Sequence, residues 1–450
     1  MAEQPLSELV KITHGFAFPG EDFTDEPTSD LLLTPGNFAI GGGFQLGKGK
    51  YFRGSVPPEY VLPAGELVVT MTDLSKASDT LGYPAIVPDL PGLRVLHNQR
   101  VGRVVFKKND AVSKRFLYYM MCTREYRHEI LASATGTGVK HTAPVRIEAF
   151  KFDFPPLPEQ RAIAGVLGAL DDKIEVNRKT ARVLEGIARA AFTSWFVDFD
   201  PVRRTPHPPN AAAAHPTTFP RALPADLAAL FPTRLVDSPI GEVPEGWRVG
   251  TLGDLLSLSR DAIDPGDHPS EDFDHFSIPA FDTGQMPSKD RGETIKSQKF
   301  VVTADCVLVS KLNPRTPRVW LPPAAGPRRQ VASTEFLVCT GNKAKKVSRE
   351  FIYCMATSEP LIEHLTTHAS GTSNSHQRVR PQDFLDFQCV EPPVDVLRGF
   401  TQAATPIFGR IATSRAQSAT LVALRDALLP KLISGELRIA DAEKIVGRAV

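Results

Sequence analysis

Apolar and polar positions divide the chain into two kinds of stretch, and each kind occurs twice. Alternating or β-branched runs, broken by Gly and Pro, predict β-rich regions. Examples are ELVVTMT at 66–72, RVGRVVF at 100–106, KFVVTADCVLVS at 299–310 and TEFLVCT at 334–340. Each β-rich region gives way to a mostly proline-free stretch with helical periodicity. The first predicted helix follows PLP at 156–158 and runs from about Glu159 to about Trp195. The second follows EPP at 391–393 and runs from about Val394 to Ser434, with Pro406 as a point where it can break. Proline suits a helix start because its missing N–H would be unpaired there anyway.

Steps of four and three along the first helix visit Ile163, Leu167, Leu170, Ile174, Asn177, Ala181, Leu184, Ala188, Ala191 and Trp195. In the second they visit Leu397, Phe400, Ala404, Ile407, Ile411, Ser414, Ser418, Leu421, Arg425, Leu428 and Leu432, a seam that is weak in its middle. A sustained 3.5-residue repeat is a coiled-coil signature. About 37 residues at ~1.5 Å each reach ~55 Å, longer than one small domain, so two such helices in one chain most simply pack on each other. The alternative is two amphipathic helices, each lying on its own domain. Polar Asn177, Ser414 and Ser418 either fix register or meet solvent.

An internal repeat reinforces the division. Val112, Ser113, Phe116, Tyr118, Met120, Ala134, Gly136, Thr137, His141, Phe152 and Pro158 recur in type 235 positions later, with no gap needed from 112 to 158. This predicts a duplicated domain. Residues 201–244 hold ten of the chain's 39 prolines and the run NAAAAHP, a linker composition in which PADLAALF at 224–231 can form a short docking helix. The polar tail after Ile439 is expected to fray. The resulting division is 1–158, a first β-rich domain; 159–200, a helix; 201–244, a linker; 245–393, a second β-rich domain; 394–438, a helix; and 439–450, a tail.

Composition narrows the chemistry. The 450 residues carry 52 Lys and Arg against 51 Asp and Glu, so a nucleic-acid surface would have to be local. Local segregation exists. Residues 90–124 contain eight cations and one acid, residues 306–334 five cations and no acid, and GNKAKKVSR at 341–349 four more cations. Basic segments in both β-rich copies favour a phosphate backbone over an ordinary solvated face. The repeated loop, ATGTGVKHTAPVRI at 134–147 and ASGTSNSHQRVRPQ at 369–382, offers Gly, hydroxyls, a cation and His as phosphate donors, or else a simple turn. Residues suited to base edges or phosphates are Lys48, Lys50, Arg53, Asn98, Thr137, Lys140 and His141 in the first copy. In the second they are Lys311, Asn313, Arg315, Arg318, Thr372, Ser375, His376 and Arg378. Five cysteines without a CxxC pair argue against disulfides and cysteine zinc sites, and no apolar run is long enough to span a membrane. GGFQLGKG at 42–49 lacks the hydroxyl of a P-loop, and NPRTP at 313–317 is spoiled for a methyltransferase motif by Arg315. No catalytic residue and no metal site is expected, which weighs against an enzyme in its own right; a scaffold without nucleic acid would show balanced charge on the β-rich domains.

These residues resemble a known family. PLPEQRAIAGVLGALDDKIEVNRK at 156–179, ending in FTSWFVDFDPVR at 192–203, is similar to the central conserved region of type I restriction–modification specificity subunits. PADLAALFPTRLVDSPIGEVPEGWRVGTLGDL at 224–255 resembles that family's lead-in to its second target recognition domain, and LRDALLPKLISGELRI at 424–439 its C-terminal conserved end. The resemblance implies an α+β fold: two similar mixed α/β target recognition domains separated by two long conserved helices forming an antiparallel coiled coil. It implies that each domain reads half of a split double-stranded DNA site and that the helices set the spacing. Two DNA-methyltransferase subunits and then restriction/translocase subunits assemble around such a chain. The seam or partner residues are then Ile163, Leu167, Leu170, Ile174, Asn177, Leu184, Ile407, Ile411, Leu421 and Leu428. No cofactor is expected on this chain; S-adenosylmethionine, ATP and Mg belong to the partner subunits, in the cytoplasm.

Overall fold

Eight strands, in one order, occur twice in the computed structural model, which describes residues 3–47, 49–73, 75, 79–108, 111–136, 139–203, 223–323, 326–370 and 377–450. Lys48, Thr137, Thr372, Ser375 and His376 lie outside the described residues, as does most of the proline-rich linker. The chain forms two compact units, one from residues 1–176 and 417–450, the other from 177–416.

In the first unit the strands are β1 (Val10–His14), β2 (Asp30–Leu32), β3 (Lys50–Phe52), β4 (Val61–Leu62), β5 (Leu67–Thr70), β6 (Pro84–Ile86), β7 (Arg94–Leu96) and β8 (Val101–Phe106). Strands β1-β8-β5-β6 form an antiparallel sheet. Strands β3-β2-β7-β4 form a second sheet, antiparallel except for the parallel β2–β7 pair. Two short helices follow, α1 (Lys114–Met120) and α2 (Arg124–Ala132), and then the long α3 (Leu157–Phe196).

The second unit repeats this plan with β9 (Leu256–Ser259), β10 (Asp272–Phe276), β11 (Ser288–Arg291), β12 (Lys299–Val301), β13 (Cys306–Ser310), β14 (Val319–Trp320), β15 (Arg329–Ala332) and β16 (Phe336–Gly341). Its sheets are β9-β16-β13-β14 and β11-β10-β15-β12, with the same parallel pair in the same place. Then come α4 (Arg349–Ala356), α5 (Glu359–His368) and the long α6 (Val394–Ile433), followed by α7 (Ile439–Gly447). Ser113 and Ser348 cap α1 and α4 identically, each hydroxyl accepting the amide three residues on. The copies differ at the sheet edges. An added strand, Phe23–Thr24, lies beside β3 in one, and Ala262–Ile263 lies beside β12, at the opposite edge, in the other.

The gapless repeat needs one correction. Thr135 and Thr72 both pair with His141 in the first unit, while Ser370 and Leu312 pair with Arg378 in the second. The second loop is therefore two residues longer, and His141 corresponds to Arg378 rather than His376. From there the offset is 237: α3 starts at Leu157 and α6 at Val394, and each has 40 residues.

The long helices pack against each other, antiparallel. In the first unit Ile163, Leu167, Leu170 and Ile174 share a core with Leu421, Leu428 and Leu432. In the second, Ala181, Ala188, Phe192 and Trp195 share one with Leu397, Phe400, Ala404 and Ile411, and Leu184 and Ile407 pack at its margin. Asn177, Ser414 and Ser418 are buried. Arg425, which breaks the apolar seam, forms an ion pair with Asp171 at 2.8 Å, and Asp171 also accepts the Tyr119 hydroxyl at 2.6 Å. The second unit makes its own version: Glu185 accepts the Tyr353 hydroxyl at 2.6 Å and pairs with Arg415 at 3.0 Å. Burial, helped by the adjacent carboxylate, raises both phenol pKa values, so each tyrosine stays a donor.

Helix α6 runs unbroken through Pro406. Gln402, whose carbonyl Pro406 cannot satisfy, is exposed like the proline itself, so water can serve it. The expected fraying tail is instead helix α7, with Ala442 and Val446 buried in the first unit's core. Ile439, Ala442 and Val446 form one apolar face at helical spacing. PADLAALF does dock: Leu227 and Leu230 lie where a Cβ on Gly399 would be 3.0 and 3.3 Å away, so glycine lets them sit close against the helix without adjustment.

Candidate nucleic-acid interface

In the first unit the end of β5, the turn before β8 and the loop at 135–142 converge. Lys140 and His141 pair with Asp73 and Thr72, the His141 ring meets the Thr72 hydroxyl at 3.1 Å, and the Met71 amide donates to the Arg100 carbonyl at 3.1 Å. Asp73 holds the base of this surface by accepting from the Ser75 amide (2.6 Å), the Thr80 hydroxyl (2.8 Å) and the Leu81 amide (3.0 Å). Burial pushes its pKa up, but these hydrogen bonds outweigh burial and the carboxyl sits below its ordinary value. The surface presents Arg100, Lys140 and His141. Arg100 is exposed and has no ion pair among the described residues; its place in the basic segment at 90–124 was the only sequence signal for it.

The corresponding surface of the second unit is built from the residues after β13 and from 377–379. Lys311 donates its amide to the Glu335 carbonyl at 2.8 Å and accepts the Val379 amide at 2.9 Å; the Asn313 amide donates to the Gln377 carbonyl at 2.9 Å. Asn313 adopts a positive φ of 51°, which turns the chain so that Arg315 projects into solvent. Arg378 is anchored on Glu335 by two hydrogen bonds of 3.1 and 2.9 Å, with its side chain still 59% exposed.

Other expected residues lie elsewhere. Lys50 and Arg53 sit at the far edge of the other sheet, paired with Asp25 and Glu26. Asn98 is buried, and its side-chain oxygen accepts the Arg100 amide at 3.4 Å inside the turn, so it shapes the turn and does not face a base. Arg318 is a clamp: its guanidinium grips Asp282 at 2.6 and 2.9 Å with only 13% of the side chain exposed.

The segregated charge is also largely neutralised across strands. Arg94 pairs with Asp30, Arg103 with Glu66, Arg328 with Asp274, Arg329 with Glu271 and Lys345 with Glu391. Acids distant in sequence become neighbours in a sheet, so a run of cations overstates the charge of the folded surface. Arg100 and Arg315 keep theirs. Among the described residues no cluster of His, Cys, Asp or Glu could hold a metal, and no helix is long and apolar enough to cross a membrane.

Arg315→Ala is expected to weaken DNA binding without loss of thermal stability. A lost phosphate contact would lower the salt slope by about one unit; a lost base contact would cost ~1–3 kcal/mol and relax one position of the site. Arg318→Ala is expected to lower stability by about 1–2 kcal/mol through loss of the Asp282 clamp. Titration of labelled duplexes over a range of salt, beside thermal melts, separates the two variants; identical behaviour would contradict the assignment.

The chain is thus a duplicated α+β domain, each unit packed on its own stretch of two antiparallel helices. The model of the type I restriction modification DNA specificity domain matches residues 47–185. The type I restriction enzyme MjaIX specificity subunit of Methanocaldococcus jannaschii is 25% identical, over 85% of this chain and 79% of its own. The HindI specificity subunit of Haemophilus influenzae is also 25% identical, over 74% of this chain and 80% of its own. The crystal structure of a type I restriction–modification S subunit from M. genitalium shares the fold at a TM-score of 0.51 and 14% identity, covering 96% of this chain and 95% of that one. The family model, the curated relatives and the shared fold all support a specificity subunit of type I restriction–modification systems.

Proposed function

We propose that each unit reads one half of a bipartite, asymmetric DNA site, that the paired helices set the spacing, and that the chain itself performs no catalysis. One observation carries this reading: the same eight-strand topology occurs twice, with different cations and a loop of different length at the equivalent surface. Arg100, Lys140 and His141 head one surface; Lys311, Arg315 and Arg378 head the other. Two readers of one architecture and unlike side chains suit two unlike half-sites. The outer faces of the helices suit docking of two DNA-methyltransferase subunits, to which restriction subunits add. Val183 and Ile187 on α3 are 54% and 40% exposed, an apolar face at helical spacing. S-adenosylmethionine, ATP and Mg then belong to those partners, in the cytoplasm.

The purified chain alone is expected to transfer no methyl group and cleave no DNA. Co-expressed with its modification subunits, it is expected to direct methylation to one split motif. Mapping of modified bases tests both statements. Methyl transfer by the pure chain, or methylation at a single continuous motif, would overturn the reading.

A further inference from the structure

The two units differ at one place where the duplication provides an internal template. In the first unit Arg115, the second residue of α1, lies across α3. A Cβ on Gly168 would be 2.9 Å from its guanidinium, which pairs with Asp172 at 2.6 Å. The same positions in the second unit are Glu350 on α4 and Thr405 and Gly409 on α6, because the helix offset is 235 in the first case and 237 in the others. The cation has become an acid, and its carboxylate partner has become glycine.

A groove of about 260 Å³ opens there, walled by Met286, Pro322, Phe408 and Ala412 and floored by Gly409, where an added Cβ would meet nothing within 4 Å. Glu350 lines it, is 9% exposed and makes no hydrogen bond or ion pair among the described residues. Of the other charges around the groove, Glu185 is shared by Tyr353 and Arg415, and the adjacent Arg349 donates to the carbonyls of Ala304 and Pro322 while its buried Nε stays unbonded and its charge interacts with that of Glu350. A carboxylate that opens onto the groove with no hydrogen bond of its own can take a further cation, and a cation on an apolar stem would both pair with it and fill the space.

We propose that this groove receives a basic side chain, arginine or lysine, from the modification subunit docked on the second unit, taking the place that Arg115 fills from within the chain in the first. The proposal rests on the docking of modification subunits put forward above. The two helix faces then differ, one closed by its own guanidinium and the other completed by the partner's.

Two measurements on the full chain test it. In ligand-observed saturation-transfer NMR, phenylguanidine is the probe and neutral phenylurea the control. Phenylguanidine is expected to receive saturation from the wild-type chain, to lose it with the near-isosteric E350Q, and phenylurea to receive none. Equal signals for E350Q, or for phenylurea, would overturn the cation site. In the second measurement, modification subunits are titrated onto the wild type and onto an E350R/G409D double variant, which rebuilds the Arg115–Asp172 pair and closes the groove. One of two binding steps is expected to weaken about tenfold, with the other unchanged. Unchanged affinity in a double variant that melts like the wild type would overturn the partner assignment. A wild type that binds phenylguanidine but no modification subunit would refute the docking and leave the cation site standing.

Discussion

Phe192→Ala is expected to remove about 3–5 kcal/mol from the second unit, the range for truncating a fully buried phenylalanine. Phe192 is 1% exposed, and its ring centroid lies 5.2 Å from Phe351 on α4, 5.2 Å from Phe196 and 5.9 Å from Phe400 on α6. It therefore joins the globular domain, the first long helix and the second at one point, and no neighbour can collapse into the gap without leaving another of the three. Against a typical domain stability of ~5–15 kcal/mol, the loss is a fifth at the least. All three tryptophans, Trp195, Trp247 and Trp320, belong to the second unit, so tryptophan fluorescence in a urea titration reports on that unit. Phe192→Leu keeps most of the volume and is expected to cost under ~1.5 kcal/mol. A loss below about 1 kcal/mol for the alanine variant would mean that the three elements are not joined there.

Inserting one heptad into α3 near Asn177 and one into α6 near Ser414 is expected to widen the spacing between half-sites while leaving their sequences alone. Seven residues keep the 3.5-residue seam in phase and lengthen each helix by ~10 Å. At ~3.4 Å per base pair, this corresponds to about three base pairs. The added rotation, about a third of a DNA turn, must be absorbed, so affinity is expected to fall. Mapping of methylated bases in cells carrying the insertion chain and its modification subunits reads the result. Half-sites altered in sequence, or unaltered spacing in an active complex, would show that the helices are not the ruler.

Much of the architecture was legible because it rests on periodicity. The α3 seam from Ile163 to Trp195 read as a 3.5-residue repeat, and the structure buries or half-buries its residues. Strands β8 and β16, each six residues, lie 235 positions apart, so the separation read from 112 to 158 extends upstream to them. The loop insertion was invisible because chance identities, His141 with His376 and Pro158 with Pro393, bridge it without a gap; only the bridges to Thr135 and Ser370 reveal it. Helix α7 was obscured by its charges: Asp441, Glu443 and Lys444 stand among its nine residues, and a face of Ile439, Ala442 and Val446 is a weak signal until something covers it.

The candidate interface was less legible, for an electrostatic reason. Arg315 and Arg318 are equivalent in sequence terms, three residues apart in one acid-free segment. Asp282, 36 positions upstream, engages one and leaves the other to solvent. Composition counts charges along the chain, but a duplex meets only those that the fold leaves unspent. Asn98 failed for the same kind of reason, being consumed by the turn it stabilises.

The helix starts bear on how interchangeable the two halves are. In the first, Gln160 is buried and bonds both ways, accepting the Ser113 amide at 2.8 Å and donating to the Pro155 carbonyl at 2.9 Å; its counterpart on α6 is Leu397. A chimaera that places the first domain ahead of α6 would deprive the Ser113 amide of its acceptor and set Arg115 above Gly409 instead of Asp172. The reverse graft would set Glu350 against Asp172, two like charges. Recombination at the domain–helix junctions therefore carries a handedness: each domain fits the helix it was inherited with, and new specificities pass most easily between first positions or between second positions, not from one to the other.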